Sequence, residues 1–568
     1  MSSTPSARGR LAIFCAVSLL IGLSFFARHI AGMVYTHGEY SCLVYNPKSV
    51  RETPPAAYDF LPDDISWDES RAYARWTNEV LRGEWGGATL ASFAPFVTSP
   101  VPQQPLWLRD RLGPAILAAI AQLPGGSVRT AFLLADLIFP VGTALSLLVL
   151  CWEIRPSIPF GIAATSLVMF FNWQDSLNFI AFLRGARQNE SIFLRTPYPQ
   201  FSTIVFCIFL WSLIRLVKSP TVSRCLLFGV LLDLNFLTYF YSWTYALMFA
   251  GAGLLLLAAM SVSPRFSLSA PVPEQSRKAF VALLISTGAA FLSAFPVWLG
   301  IIQKNPAAHD SFVRLGGVFT HRPELRYSLA LAICLPALLA WKNCSWNNRW
   351  LAMSFLLASL LVMNIQVVIG KTIQPSHWTE YYIQPFFLFL LADLLWTIVA
   401  RVDRRTWQYA IAIVLLSAGG LCSVYKLSAG AKQSVDFNTR DPQFEQVVAL
   451  FRQPALRDYG FLSNDTYVST VLPAFVAQKP LLPWYMDPET NDELASLQLA
   501  AARALDDPSS TSAETPSVRT LTLRTDKILF VLNLHRPFSD SLVAGQRVIL
   551  RNEDFLVVAT SAGPNSRD

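Results

Sequence analysis

Apolar residues in this chain gather in long unbroken runs rather than in alternating or narrow helical stripes. Such runs lie near residues 11–33, 128–152, 156–173, 198–217, 223–241, 243–262, 279–303, 326–341, 349–369, 381–400 and 406–425. Most reach the roughly 20 residues that a helix needs to cross about 30 Å of hydrocarbon. The pattern predicts a polytopic α-helical membrane protein with about eleven transmembrane helices, filling residues 1–425. Near residue 426 the runs shorten and the period becomes mixed. Pro442–Gln453, Tyr467–Ala477 and Glu489–Leu505 read as helices. Tyr459–Leu462, Lys527–Leu534 and Arg547–Thr560 read as strands, the last a hairpin about Asn552–Asp554. Alternation of this kind predicts a small α/β domain over 426–568.

Composition agrees with the runs. The chain is 53% hydrophobic and 15% charged, where a soluble domain carries about 25% charge. A length of 568 residues is therefore not read as three or four soluble domains. The net charge of +7 is unevenly placed: residues 426–568 hold 14 Lys/Arg against 17 Asp/Glu, which leaves +10 on residues 1–425. Much of that excess sits in short loops between apolar runs, the distribution of cytoplasmic loops and not of a nucleic-acid-binding surface. Residues 112–123 are apolar but too short to cross. Leaving them out of the spans puts Arg155, Arg215, Lys218, Arg224, Arg265, Lys278, Arg349 and Arg405 all on one side, so they read as a surface or re-entrant helix. The predicted topology has a cytoplasmic N-terminus and a multi-pass body in a bacterial inner (plasma) membrane. A long loop (34–127), shorter ones (174–197, 304–325, 370–380) and the C-terminal domain lie on the outer, periplasmic side. The eight cysteines form no CxxC pair, which excludes a disulfide framework or zinc site of the usual spacing.

Chemistry should then lie on the outer face. Asp59, Asp63, Asp64, Asp68 and Glu69 crowd the first loop, and Trp67–Leu81 follows as a helix that Gly83 ends. Asp68 and Glu69 in its first turn suit the helix dipole, which is reason enough for two carboxylates there. They also suit a general base held at the membrane surface. The stretch WDESRAYARWTNEVLRGEW resembles the first periplasmic loop of the GT-C superfamily of lipid-linked-sugar glycosyltransferases, above all its aminoarabinose transferase and protein O-mannosyltransferase branch. The resemblance implies that Asp68 is the catalytic base with Glu69 beside it. It also implies that Arg109 and Asp110, before the helix 112–123, help bind the substrate.

Other outer residues fit the same chemistry. Asp175 closes a span where the resemblance places an acidic residue near phosphate or metal; an ordinary helix-end polar residue is the alternative. Arg195, before Pro197, is placed to meet a lipid phosphate through its planar fork, although interfacial Arg also snorkels for structural reasons. The segment Gly370–Tyr382 carries Lys371, Gln374 and His377, candidates for the donor phosphate or a sugar hydroxyl, among aromatics that also anchor membrane interfaces. Asp136, Asp233 and Asp393 lie inside spans, where ionisable groups are costly. No Walker A or HExxH motif is present. No cofactor is assigned from the sequence; a divalent cation, if one is used, would sit on Asp68 and Asp175.

The function read from the sequence is an inverting transfer of a hexose or pentose from a polyprenyl-phosphate donor to an unspecified glycan, lipid or protein acceptor in the cell envelope. Two rivals stand beside it: a transporter or flippase of a lipid-linked saccharide, and a non-catalytic GT-C relative that binds a partner.

Overall fold

The computed structural model describes residues 6–41, 69–83, 112–123, 126–171, 193, 198–262, 273–295, 317–324, 346–373, 375–400, 405–433, 439–478, 480, 527–536, 538, 543 and 546–559. The chain is a multi-pass helical membrane protein. Its described helices, in order, are α1 (Ala7–Tyr35), α2 (Glu69–Leu81), α3 (Leu112–Ala121), α4 (Val128–Ile154), α5 (Ile158–Phe170), α6 (Gln200–Lys218), α7 (Val222–Phe236), α8 (Phe240–Val262), α9 (Pro273–Ser293), α10 (Trp346–Met363), α11 (Ile365–Ile369), α12 (Pro375–Trp378), α13 (Gln384–Val399) and α14 (Arg405–Gln433). A π-helical turn, Thr379–Ile383, joins α12 to α13. Six helical stretches among the described residues are long and apolar enough to cross a membrane: α1, α4, α6, α8, the π turn with α13, and α14. Helices overlap every expected span except 326–341, which lies outside the described residues.

The ends of these helices follow from their sequences. Ser6, Ser127, Ser157 and Thr221 each accept a bond from the backbone N–H three residues on. Orphaned donors at a helix start are costly near hydrocarbon, so these caps matter. The expected span 349–369 is broken at Asn364 into α10 and α11, and α9 begins at Pro273, six residues before the expected 279. Two further boundaries differ from expectation. The pair expected at 223–241 and 243–262 breaks earlier, after Phe236. Asn235 causes the break: the Thr238 hydroxyl donates to its carbonyl at 2.7 Å and the Ser242 hydroxyl to its side chain at 2.8 Å. The last membrane helix runs to Gln433, eight residues past the expected 425.

In the bundle α1 lies between α4 and α14, α4 packs on α6, α5 on α13 and α14, and α8 on α9 and α10. Small residues permit the closest approaches, as expected where lipid supplies no hydrophobic drive. A Cβ on Gly22 would stand 2.3 Å from Val141 Cγ2 and 3.3 Å from the Leu137 carbonyl oxygen.

The two ends of the bundle differ in character. At one end basic residues are tied to helix ends: Arg155 Nε to Asp393 Oδ1 at 2.7 Å, Lys218 Nζ to the Glu153 carboxylate at 2.9 Å, and Arg224 to the Arg215 and Ser219 carbonyls. At the other end stand α2, α3, α12 and the C-terminal elements. Those elements are α15 (Pro442–Phe451), α16 (Thr466–Val471) and a four-stranded sheet of β3 (Gly460–Ser463), β4 (Ile528–Asn533), β6 (Phe555–Ala559) and β5 (Arg547–Arg551), in that order. A two-stranded antiparallel pair, β1 (Gly317–Phe319) with β2 (Lys371–Ile373), completes this end. β3 and β4 are parallel; β4, β6 and β5 are antiparallel neighbours. The strands expected near 459–462 and 527–534 and the 547–560 hairpin are all present; the helix expected at 489–505 lies outside the described residues.

Candidate active site

The candidate site is built on His377. Gly370 ends α11 in the left-handed region at φ 73° and turns the chain into β2. The His321 ring covers this glycine, and an added Cβ would meet it at 2.9 Å. Any other residue at 370 would be strained twice over, by its φ and by that ring. β2 carries Lys371, exposed and opposite Phe319 of β1. The chain then enters α12, which holds His377 at its last turn.

Three tyrosines surround His377. The Tyr239 hydroxyl and His377 Nδ1 share a hydrogen bond at 3.0 Å. The Tyr241 and Tyr381 rings lie 4.7 and 4.8 Å from the imidazole centroid. Tyr239 comes from the turn that Asn235 creates between α7 and α8, and Tyr241 from the first turn of α8. Tyr381 comes from the π turn, which also buries Tyr382, whose hydroxyl donates to Ser202 Oγ at 2.9 Å. Next to the histidine, the Trp378 indole N–H donates to Thr244 Oγ1 at 2.9 Å. The ring that bears the candidate polar group is thus held from three directions.

The aromatic surface extends toward the first loop. Tyr198 stacks on Tyr239 at 5.2 Å with 9° between the rings, and meets Tyr73 of α2 edge-on at 5.0 Å. Its hydroxyl accepts from the Gly113 N–H of α3 at 3.0 Å. The Leu112 N–H points to the Leu237 carbonyl at 3.4 Å. Tyr73 in turn meets Trp76 at 5.0 Å. So α2, α3, the turn before α8 and α12 converge on one floor.

Each expected residue has its own outcome. His377 is on this floor and Lys371 precedes it on β2. Glu69 is the first residue of α2. Asp68, Asp175, Arg195, Gln374, Arg109 and Asp110 lie outside the described residues. No group of three or more His, Cys, Asp or Glu among the described residues has the arrangement of a metal site. The intramembrane carboxylates are engaged with neighbours. Asp393 pairs with Arg155 at the opposite end. Asp233 accepts from the Ser293 hydroxyl. Asp136 accepts from Arg28 Nη2 at 2.7 Å and lies 2.8 Å from His29 Nε2, while His29 Nδ1 meets the Tyr40 hydroxyl at 2.7 Å.

The sequence reading missed Tyr239 and Tyr241, and gave Tyr73 of the first-loop motif and Tyr198 near the interface no role of their own. Tyrosines at span ends read as membrane anchors, and the misplaced break at 241–243 hid the turn that groups two of them. A Tyr-Phe-Tyr after Asn235 and Thr238 was the available signal.

No family model matches the sequence, and no curated protein matches it. Among solved structures the chain is similar to ArnT from Cupriavidus metallidurans bound to undecaprenyl phosphate, at 13% identity over 98% of this chain and 99% of that one, with a TM-score of 0.48. It is likewise similar to apo ArnT from the same organism, at 12% identity over 94% and 97%, again with a TM-score of 0.48.

Proposed function

We propose that this protein is a membrane glycosyltransferase that moves a sugar from a polyprenyl-phosphate donor to an acceptor at the outer face, with about eleven spans and the C-terminal α/β elements on that face. The carrying observation is the convergence on one aromatic floor of α2, which follows Asp68, of α3, which follows Arg109 and Asp110, and of His377. The His377 ring and the Tyr198 and Tyr239 hydroxyls, from segments far apart in sequence, lie there at the end of the bundle away from the basic helix ends. The flippase reading needs polar groups along a path to both faces. At the opposite end, Arg155 and Lys218 are instead committed to ion pairs.

In this reading Asp68 takes the proton of an acceptor hydroxyl or amine. The acceptor's lone pair forms a bond to the anomeric carbon, the bond from that carbon to the phosphate oxygen breaks, and the configuration inverts. The departing polyprenyl phosphate gains negative charge, which Arg195, Lys371 and His377 offset. Glu69 supports the base, Gln374, Arg109 and Asp110 orient the substrate, and Asp175 steers the acceptor. A divalent cation, if bound, would rest on Asp68 and Asp175 and lend charge to the phosphate.

The test reconstitutes the full chain in liposomes with radiolabelled polyprenyl-phosphate hexoses and pentoses and a cell-envelope extract as acceptor. Loss of label from one donor is expected, and Asp68→Asn lowers its rate by about 100- to 10,000-fold. Full activity in Asp68→Asn would remove Asp68 as the base. Label that crosses the bilayer still attached to its lipid would favour the flippase.

A further inference from the structure

We infer that Tyr198 is a positioning residue for the proposed transfer, holding the three segments that carry the reacting groups in register with one another; this rests on the glycosyltransferase reading above. Tyr198 is 1% exposed and touches all three. Its ring edge meets Tyr73 on α2, five residues after Asp68. Its hydroxyl accepts from the Gly113 N–H, in the first turn of the helix that follows Arg109 and Asp110. Its face stacks on Tyr239, which bonds His377 Nδ1. A membrane-anchoring tyrosine keeps its hydroxyl in the headgroup region. This one points its hydroxyl into the protein, at a backbone N–H of a buried glycine.

The geometry has a mechanical consequence. α2 is a 13-residue helix in an outer loop, and its mates on the membrane side are α3 and α4. Tyr73 brings α2 to the floor through its edge-on contact with Tyr198, and Trp76 packs on Tyr73 from the next turn of the same helix. Without the Tyr198 ring, α2 and the His377 turn lose their common partner, although each keeps its own neighbours. His377 stays between Tyr239, Tyr241 and Tyr381, so donor phosphate binding persists while the spacing to the base drifts. A misplacement of about 1 Å costs on the order of 100-fold in rate.

The experiment compares wild type, Tyr198→Phe and Tyr198→Leu as full-length protein in liposomes. Turnover is followed on the polyprenyl-phosphate sugar that wild type consumes, binding with undecaprenyl phosphate as the probe, and amide hydrogen exchange over 69–83. In Tyr198→Leu, kcat falls about 100-fold, undecaprenyl phosphate binding stays within about twofold, and α2 amides exchange faster while α8 and α13 do not. Tyr198→Phe keeps both ring contacts and loses one hydrogen bond, so its kcat stays within about fivefold of wild type and its α2 exchange is unchanged. Tyr73→Leu lowers kcat as Tyr198→Leu does, and the double variant is no slower than either alone. If Tyr198→Leu does not accumulate in the membrane, Tyr73→Leu carries the test, since it opens the same contact with Tyr198 in place. Wild-type kcat and exchange in Tyr198→Leu, or additive losses in the double variant, overturn the inference. A wild-type protein that consumes no donor defeats the transfer reading instead, and unchanged α2 exchange defeats this inference in either case.

Discussion

Asp136 shows how this chain keeps a carboxylate at membrane depth. It stands eight residues inside α4 and is 6% exposed. Arg28 and His29, from a matching depth of α1, both reach one of its oxygens, and Tyr40 closes over the imidazole. Gly32 leaves room for the Tyr40 ring: a Cβ there would lie 2.4 Å from it. Removing one member of such a group strands the others' charge. Asp136→Ala is expected to lower stability by about 3 kcal/mol, read as a lower melting temperature of the detergent-solubilised protein, with Asp136→Asn losing less. The sequence showed Asp136 as a costly group but not its partners. Arg28 and His29 sit inside the first apolar run, 11–33, and nothing in their neighbours Phe26, Ala27 and Ile30 says what they meet. Which helix turns its polar face to which is a tertiary fact that one sequence does not carry. The tyrosines of the floor were opaque for the same reason: Tyr73, Tyr198 and Tyr239 come from α2, the residues just before α6 and the α7–α8 turn, and their contacts exist only once those segments meet.

At the scale of elements, length and hydropathy carried most of the legible signal. A run of about 20 apolar residues has few alternatives to a helix in lipid, so the spans could be placed without knowing their neighbours. Their ends could not, because ends are decided by single polar side chains such as Asn235 and Thr238. Contacts between helices are decided by single small ones. Gly22 is the sharpest case, facing a β-branched side chain and a backbone carbonyl of α4. Backbone does not yield as a flexible side chain does. Gly22→Leu is therefore expected to separate α1 from α4, destabilising the protein by about 2 kcal/mol and lowering its yield in the membrane fraction. Gly430, with nothing within 4 Å of its added Cβ, should tolerate alanine in the same assay.

At the scale of the whole molecule, one end of the bundle is joined to the C-terminal elements by contacts far apart in sequence. The Asn78 side-chain amide donates to the Pro473 and Val476 carbonyls, both at 2.9 Å. Arg82 donates to Val476 at 2.6 Å, and Arg129 pairs with Glu445 while lying over the Phe475 ring. The α2 helix is thus shared between the aromatic floor and the segment around 473–476. Asn78→Ala leaves two carbonyls without that donor, at a cost of about 1–2 kcal/mol, and limited proteolysis should then cut more readily within 439–478. The choice of which loop meets which C-terminal turn was not legible, since the amide of Asn78 looks like any solvated helix residue.

Tyr40 and Thr439 form an isolated antiparallel bridge, and the Arg440 N–H donates to the Glu39 carbonyl. This small seam sets a schedule for biosynthesis. Tyr40 leaves the ribosome about 400 residues before its backbone partner, a wait of roughly 20–80 s at about 5–20 residues per second. Throughout that interval the root of the first loop has its membrane contacts but not its strand partner. The seam therefore closes only after the membrane helices between its two sides have been made, and before β4, β5 and β6 complete the sheet.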